Sequence, residues 1–264
     1  MPLLASPTTV DLLEADRQRR LWNGQSRRLH GARLVTNASY RRVGRANQIL
    51  VGPTDPPVDW SEIQAQAEPA LHALGIRFRR VMLFGEEVRR RLGGVLSAEG
   101  FRESLLWLLS FRGIVTTQAS EQVQIRRVDP FLRPSWFTLT YRLQQERDER
   151  DELAADATSL YSRLADQPGR TIFAGFRGDT MAGTADLDRI GSLASIEHVQ
   201  TAPEWRGQGV ATALVLRLTD EAVRDGARGI QLVTHSRALA DQLYRPCGFE
   251  TVDVISIFER PMFE

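Results

Sequence analysis

Apolar positions along this chain follow two spacings in turn, the three-and-four step of a helix and the alternation or short run of a strand. Thr8 and Thr9 can cap a first helix in which Val10, Leu13, Arg17 and Leu21 fall near helical spacing, and Asp11, Glu14 and Asp16 lie in the early turns. This predicts an amphipathic helix over residues 9–23. Ala32–Thr36 and Gln48–Val51 are β-like pieces, and the prolines of Pro53–Pro57 mark a loop. Asp59 then opens a helix carrying Ile63, Ala67, Ala70, Leu71 and Leu74, closed by Gly75. Pro69 inside it predicts a kink or a split. Ile76–Phe84 reads as a strand, Glu86–Glu99 as a helix interrupted at Gly93-Gly94, and Leu105–Phe111 as a buried strand.

A polar stretch, Gly113–Ser120, reads as a linker, although Ile114–Thr117 could also prolong the strand before it. Val123–Val128 alternates as an opening strand, and Ser135–Leu164 is mostly helical and highly charged. Thr171–Arg177 and Thr180–Asp186, joined by Gly178-Asp179, read as a hairpin. Ser195–Gln200 is the next strand. Ala211, Leu214, Val215, Leu218 and Ala222 form one helix face, closed by Asp225-Gly226. A strand (Ile230–Thr234), a helix (Arg237–Tyr244) and a last strand with Val252, Val254 and Phe258 alternating complete the chain.

One order occurs twice. Helix, Gly75, strand, helix, Gly100-Phe101, strand is matched by helix, Gly226, strand, helix, Gly248-Phe249, strand. The alternative is a coincidental α/β pattern.

Composition changes the picture in a few places. Basic and acidic residues nearly cancel, 34 against 33, and no basic tract occurs, which disfavours nucleic-acid binding. Every basic residue is Arg, so lysine chemistry of any kind is excluded. A single Cys, Cys247, rules out an intrachain disulfide and a thiolate cluster, and it reads as a small buried residue. His30, His72 and His235 show no ligand spacing, so no metal site is expected. The absence of a long apolar run, and of signal-peptide features in Met1–Ala5, leads to the expectation of a cytoplasmic protein that does not enter membranes.

The most informative stretch is Ile196–Thr212, a β-run, a turn at Pro203, a glycine-rich loop and the start of a helix. Glycines let a backbone approach a ligand closely, and the N–H groups of a helix N-terminus favour a phosphate. Arg206-Gly207-Gln208-Gly209-Val210-Ala211 resembles motif A of the GNAT acyl-CoA N-acyltransferases, Arg/Gln-x-x-Gly-x-Gly/Ala. The order β, α, α, β, β, β, α, β, α, β over residues 123–264 is similar to that of the family. The first half resembles it more weakly, through the repeated order and through Arg42–Leu50 with Gly44-Arg-Ala-Asn47.

The resemblance implies an α/β (α+β) fold, a central mixed, mostly antiparallel sheet flanked by helices. It implies two GNAT-like domains: residues 1–120, degenerate and non-catalytic for lack of a glycine loop, and residues 121–264, catalytic. Acetyl-CoA would be held by Arg206, Gly207, Gln208, Gly209, Val210, Ala211 and Thr212, with Val199 and Thr201 freed by a β-bulge to pair with the pantetheine amides. Arg237 stands where relatives carry an Asn that touches the cofactor; it would contact a coenzyme A phosphate or face solvent. Tyr244 matches the tyrosine that relatives aim at the thioester sulfur; otherwise it packs under the cofactor with no proton role.

A free alkyl amine is mostly protonated at neutral pH, so transfer requires a proton acceptor. Glu197 lies where relatives carry a carboxylate base; the alternative is a structural partner of an Arg. Strand alternation would turn its neighbour His198 to the opposite face. The activity implied is acetyl transfer from acetyl-CoA to an amine-bearing small molecule, by a monomer or homodimer, and the tandem arrangement is similar to bacterial members. O-acyl or longer-chain transfer, and a non-catalytic acyl-CoA-binding module, are the alternatives.

Overall fold

The computed structural model describes residues 7–147 and 151–261. The chain divides into two compact units. An amino-terminal unit comprises Thr8–Leu108 and the segment beginning at Val252; a carboxy-terminal unit comprises Leu109–Thr251 and the segment ending at Pro7.

In the amino-terminal unit, α1 (Thr9–Arg20) opens with a capping box: Thr8 Oγ1 accepts from Asp11 N–H, and the Asp11 carboxylate accepts from Thr8 N–H at 2.8 Å. The face it buries differs from the apolar spacing. Val10 is exposed, while Asp16 is wholly buried between Arg19 (2.9 Å) and Arg20 (2.6 Å). Burial opposes ionisation of Asp16, but Arg20 and Arg19 together outweigh it and hold the carboxyl below its usual range. Strands β1 (Gln25–Leu29), β2 (Ala32–Thr36) and β3 (Gln48–Val51) pair antiparallel. The sequence reading missed β1 because four of its five residues are exposed and carry no apolar signal.

The next helix, α2 (Trp60–Ala73), runs unbroken through Pro69, contrary to the expected kink or split. A proline removes one helix hydrogen bond, and packing of Trp60, Ile63, Ala67 and Leu71 into the core retains the helix. Gly75, at φ +66°, ends it as expected, with Ile76 N–H on Leu71 O at 3.0 Å. Strand β4 (Phe78–Phe84) runs parallel to β3. Helix α3 (Glu86–Ala98) continues through Gly93-Gly94, where an interruption was expected. Gly93 lies against the Phe258 ring, with a Cβ position only 3.3 Å from its edge, so close packing explains the glycine. Strand β5 (Arg102–Phe111) follows.

The carboxy-terminal unit contains β6 (Val123–Arg127), α4 (Arg133–Arg147), α5 (Asp151–Leu164), β7 (Arg170–Arg177), β8 (Thr180–Ile190) and β9 (Leu193–Thr201). Then come α6 (Val210–Arg224), β10 (Gly229–Thr234), the short α7 (Arg237–Leu239) and β11 (Phe249–Pro261). Strands β6, β7, β8 and β9 pair antiparallel in that order, and β9 pairs parallel with β10. The hairpin and the element order agree with the sequence reading. Residues 148–150, within the region read as helical, and Met1–Ala5 lie outside the described residues.

The last strand departs from a simple tandem order. Ile255–Pro261 of β11 pair antiparallel with Phe84–Phe78 of β4, so the end of the chain completes the amino-terminal sheet. The sequence reading placed one boundary at 120 between two continuous segments. The compact units meet along the chain at Pro7/Thr8, Leu108/Leu109 and Thr251/Val252. Local periodicity gives the order of strands but not the partner each one takes. Among the described residues, no helix is long and apolar enough to cross a membrane.

Candidate functional site

Strand β9 is where the site begins. Asp186 pairs with Glu197 and Thr184 with Gln200, which leaves His198 and Val199 opposite the single residue Ala185. This is a β-bulge, and His198 takes φ +49° within it, the left-handed region that a non-glycine residue occupies only under constraint. The bulge expected ahead of the loop is therefore present. It also corrects the expectation that His198 faces away from Glu197. Asp186 and Glu197, directly opposite each other, share one face of the pair, and the bulge turns the His198 ring onto Asp186, with Nδ1 2.7 Å from Oδ2.

That face carries a set of charged groups the sequence reading did not find. Arg170 of β7 grips Asp188 of β8 through two hydrogen bonds, 2.7 and 2.6 Å, and lies 3.5 Å from Asp186. Ser195 donates to Glu197 at 2.6 Å. The Tyr161 ring of α5 meets the His198 imidazole edge-on, 4.4 Å between centroids. The available signal was Asp186-Leu187-Asp188, two carboxylates on one face of a strand whose neighbours are buried.

Beyond Thr201 the chain turns at Pro203–Trp205 and enters the loop. Gly207 (φ +72°) and Gly209 (φ +81°) are both left-handed, as only glycine adopts without strain. Gly209 caps α6 with no side-chain hydrogen bond, and the first intrahelical bond runs from Ala213 N–H to Gly209 O at 2.9 Å. The N–H groups of Val210, Ala211 and Thr212 thus stand at the helix end without intrahelical partners, the arrangement that receives an anionic group. Arg206 lies on the surface and pairs with Glu146 of α4 at 2.8 Å, and Gln208 donates to Glu204 O. A second ion pair, Arg142 to Glu204 at 2.7 Å, also joins α4 to the loop. Arg237 is exposed and 3.5 Å from Asp241.

Tyr244 closes a π-helical turn, Ala240–Tyr244, with Arg245 N–H bonded five residues back to Ala240 O at 2.9 Å. Such turns are rare and occur frequently at functional places. The phenol is buried. Burial first, then the nearby Cys247 and the Glu197 charge, raise its pKa above the ordinary value, so it keeps its proton throughout the neutral range. Cys247 is wholly buried and its thiol is pushed up to about 11, which agrees with the packing role read from the sequence. Gly248 is confined, with a Cβ position 2.7 Å from the Phe111 ring.

On α4, Thr140 and Gln144 point inward one turn apart, and neither side chain has a hydrogen-bond partner among the described residues. In the amino-terminal unit, by contrast, the loop before α2 reads Pro56-Pro57-Val58-Asp59. It borders an open cavity of about 260 Å³ whose rim includes Asp59 and Glu62. Two prolines remove N–H donors there in place of a glycine loop, and the rim sets His30 and Arg91 against the two acids.

The carboxy-terminal unit thus combines a mixed sheet, a bulged strand, an uncapped helix behind left-handed glycines and a downstream tyrosine. Residues 133–249, within the carboxy-terminal unit, match the profile of the acetyltransferase (GNAT) family, which supports an acyltransferase. No curated protein sequence matches the chain. Among solved structures, a GCN5-related N-acetyltransferase from Kribbella flavida is 16% identical and superposes with a TM-score of 0.68 over 97% of each chain. A conserved protein of unknown function from Staphylococcus epidermidis gives 0.69 at 10% identity, over 91% of this chain and 95% of that one. A tandem GNAT protein from the clavulanic acid biosynthesis pathway gives 0.57 at 13% identity, over 82% of this chain and 74% of that one. At these identities the likeness is one of fold, and it extends to the amino-terminal half.

Proposed function

We propose that this protein is an acetyl-CoA-dependent N-acetyltransferase that moves an acetyl group to a primary amine of a small molecule by direct attack on the thioester. The observation that carries the reading is the left-handed glycine loop at the uncapped end of α6, directly after the bulge of β9. Gly207 to Thr212 would hold the pyrophosphate through backbone N–H groups, and Val199 and Thr201 would pair with the pantetheine arm. Arg206 would have to leave Glu146 to reach a phosphate, and Arg237 would serve only at the surface. Acetyl-CoA supplies the activated acyl group as its thioester.

Tyr244 donates a hydrogen bond to the sulfur as negative charge develops there. Complete proton transfer from the phenol is uphill, because its raised pKa lies above that of a thiol, about 8.5. Its contribution is therefore stabilisation of the leaving sulfur, and the thiol takes its final proton from the amine nitrogen. Glu197, buried near Tyr244, supplies negative charge for the incoming ammonium. The amino-terminal unit, with two prolines and no glycine loop ahead of α2, would bind no coenzyme A, giving one active site per chain in a cytoplasmic monomer or homodimer.

The test is a screen of amine classes with acetyl-CoA, reading free thiol. Amine-dependent thiol release is expected for at least one class. Release with alcohols alone would support O-acyl transfer, and release with none of them would favour a binding module.

A further inference from the structure

We infer that His198, oriented by Asp186, is the group that takes the proton from the attacking amine, while Glu197 acts as a fixed negative charge beside it; this rests on the acetyl-transfer reading above. Four observations on the bulged face support it. First, His198 Nδ1 is 2.7 Å from Asp186 Oδ2. An ionised carboxylate only accepts, so Nδ1 carries the hydrogen and Nε2 keeps the lone pair of a base. Second, a guanidinium faces that carboxylate: Arg170 lies 3.5 Å from Asp186 and holds Asp188 through two short bonds.

Third, Glu197 is 5% exposed and spends one oxygen on the Ser195 hydroxyl, whereas the His198 side chain is 22% exposed and can return a proton to water. Fourth, the imidazole plane is fixed on two sides, by Asp186 and by the edge-on Tyr161 ring, in a left-handed backbone that only a constrained residue adopts. Asp186 and the Tyr161 ring lie against the imidazole, Arg170 and Asp188 stand behind Asp186, and Glu197 is the adjacent residue, with its charge acting on Tyr244.

The step balances. The ammonium gives one proton to His198 Nε2, and the freed nitrogen pair attacks the thioester carbonyl carbon. The C–N bond forms and the C–S bond breaks with its electron pair going to sulfur. A second nitrogen proton passes to that sulfur, giving amide and thiol, and His198 releases its proton to solvent. Asp186 is a positioning residue: it sets the tautomer and does not meet the substrate.

The experiment measures kcat/KM against pH for the alkyl amine that releases most thiol in the screen above, with acetyl-CoA binding by calorimetry as the check on folding. In the wild-type enzyme kcat/KM is expected to fall at acid pH as the imidazole is protonated. His198→Gln should lose about 100-fold at neutral pH and lose that acid limb. Asp186→Asn, which removes the negative partner, should move the limb to lower pH. A His198→Gln protein with the wild-type profile overturns the inference and leaves the acetyl-transfer reading standing. A wild-type enzyme that acetylates no amine overturns both.

A second readout needs neither cofactor nor turnover. The ¹⁵N spectrum of histidine-labelled wild-type protein, with His198 identified by its response to Asp186→Asn, should show Nδ1 protonated in the neutral ring. A neutral ring protonated at Nε2 contradicts the inference, including where His198→Gln fails to fold.

Discussion

At the scale of single residues, Tyr244 and Gln144 illustrate two costs that point to function. Tyr244 is a buried phenol at the end of a π-turn, beside a carboxylate that discourages its ionisation. Packing alone would be served as well by phenylalanine. Tyr244→Phe is therefore expected to lower kcat about 100-fold while acetyl-CoA affinity, by calorimetry, stays close to wild type. Equal turnover would remove its role. Gln144 buries a primary amide with no partner among the described residues, a cost of about 1–3 kcal/mol. Gln144→Leu should raise the unfolding free energy by an amount of that order, measured by urea titration. If acceptor KM rises at the same time, the amide is spent on substrate. Tyr244 stands out in the sequence through its setting, Leu243-Tyr-Arg-Pro-Cys-Gly-Phe249, which resembles that of the family's tyrosine. Gln144 was not, because nothing in a charged helical region marks which polar residue turns inward.

At the scale of elements, what periodicity could and could not show separates cleanly. The hairpin, α6 and the last strand were legible, since their apolar positions repeat at a fixed step. Helix α1 was legible as a helix, but its full buried face was not: a network of Asp16, Arg19 and Arg20 is buried alongside Leu12, Leu13 and Ala15. Breaking one member leaves buried charge uncompensated. Asp16→Asn should cost about 3–5 kcal/mol, read from denaturant unfolding.

The pH dependence follows from the sign of the shift. Asp16 has a lowered pKa in the folded protein, so its contribution is present above the unfolded carboxyl value near 3.9 and is lost as pH falls through the folded value. Asp16→Asn should accordingly flatten the acid limb of the stability curve, and an unchanged limb would contradict the role given to the arginines. The bulge in β9 was expected from the resemblance, but the direction of His198 was not, because a period-two rule fails where one extra residue enters a strand.

At the scale of the whole molecule, the repeated order was legible and the exchange of the last strand was not. Strand β11 pairs with β4, whose residues lie 171 to 183 positions earlier, a partnership set by the sheet rather than by neighbouring residues. A chain ending at Thr251 should lose amide-exchange protection along β4, measured by hydrogen–deuterium exchange; full protection would contradict the pairing.

The central claim is one acyl-CoA site per chain, at the glycine loop of the carboxy-terminal unit. Titration of the protein with acetyl-CoA in a calorimeter tests it most directly. One site per chain is expected, with affinity reduced at least about tenfold in Gly209→Val, since a side chain there meets both φ +81° and the Ser120 side chain at 3.1 Å. Two equivalent sites per chain, or wild-type affinity in Gly209→Val, would contradict it.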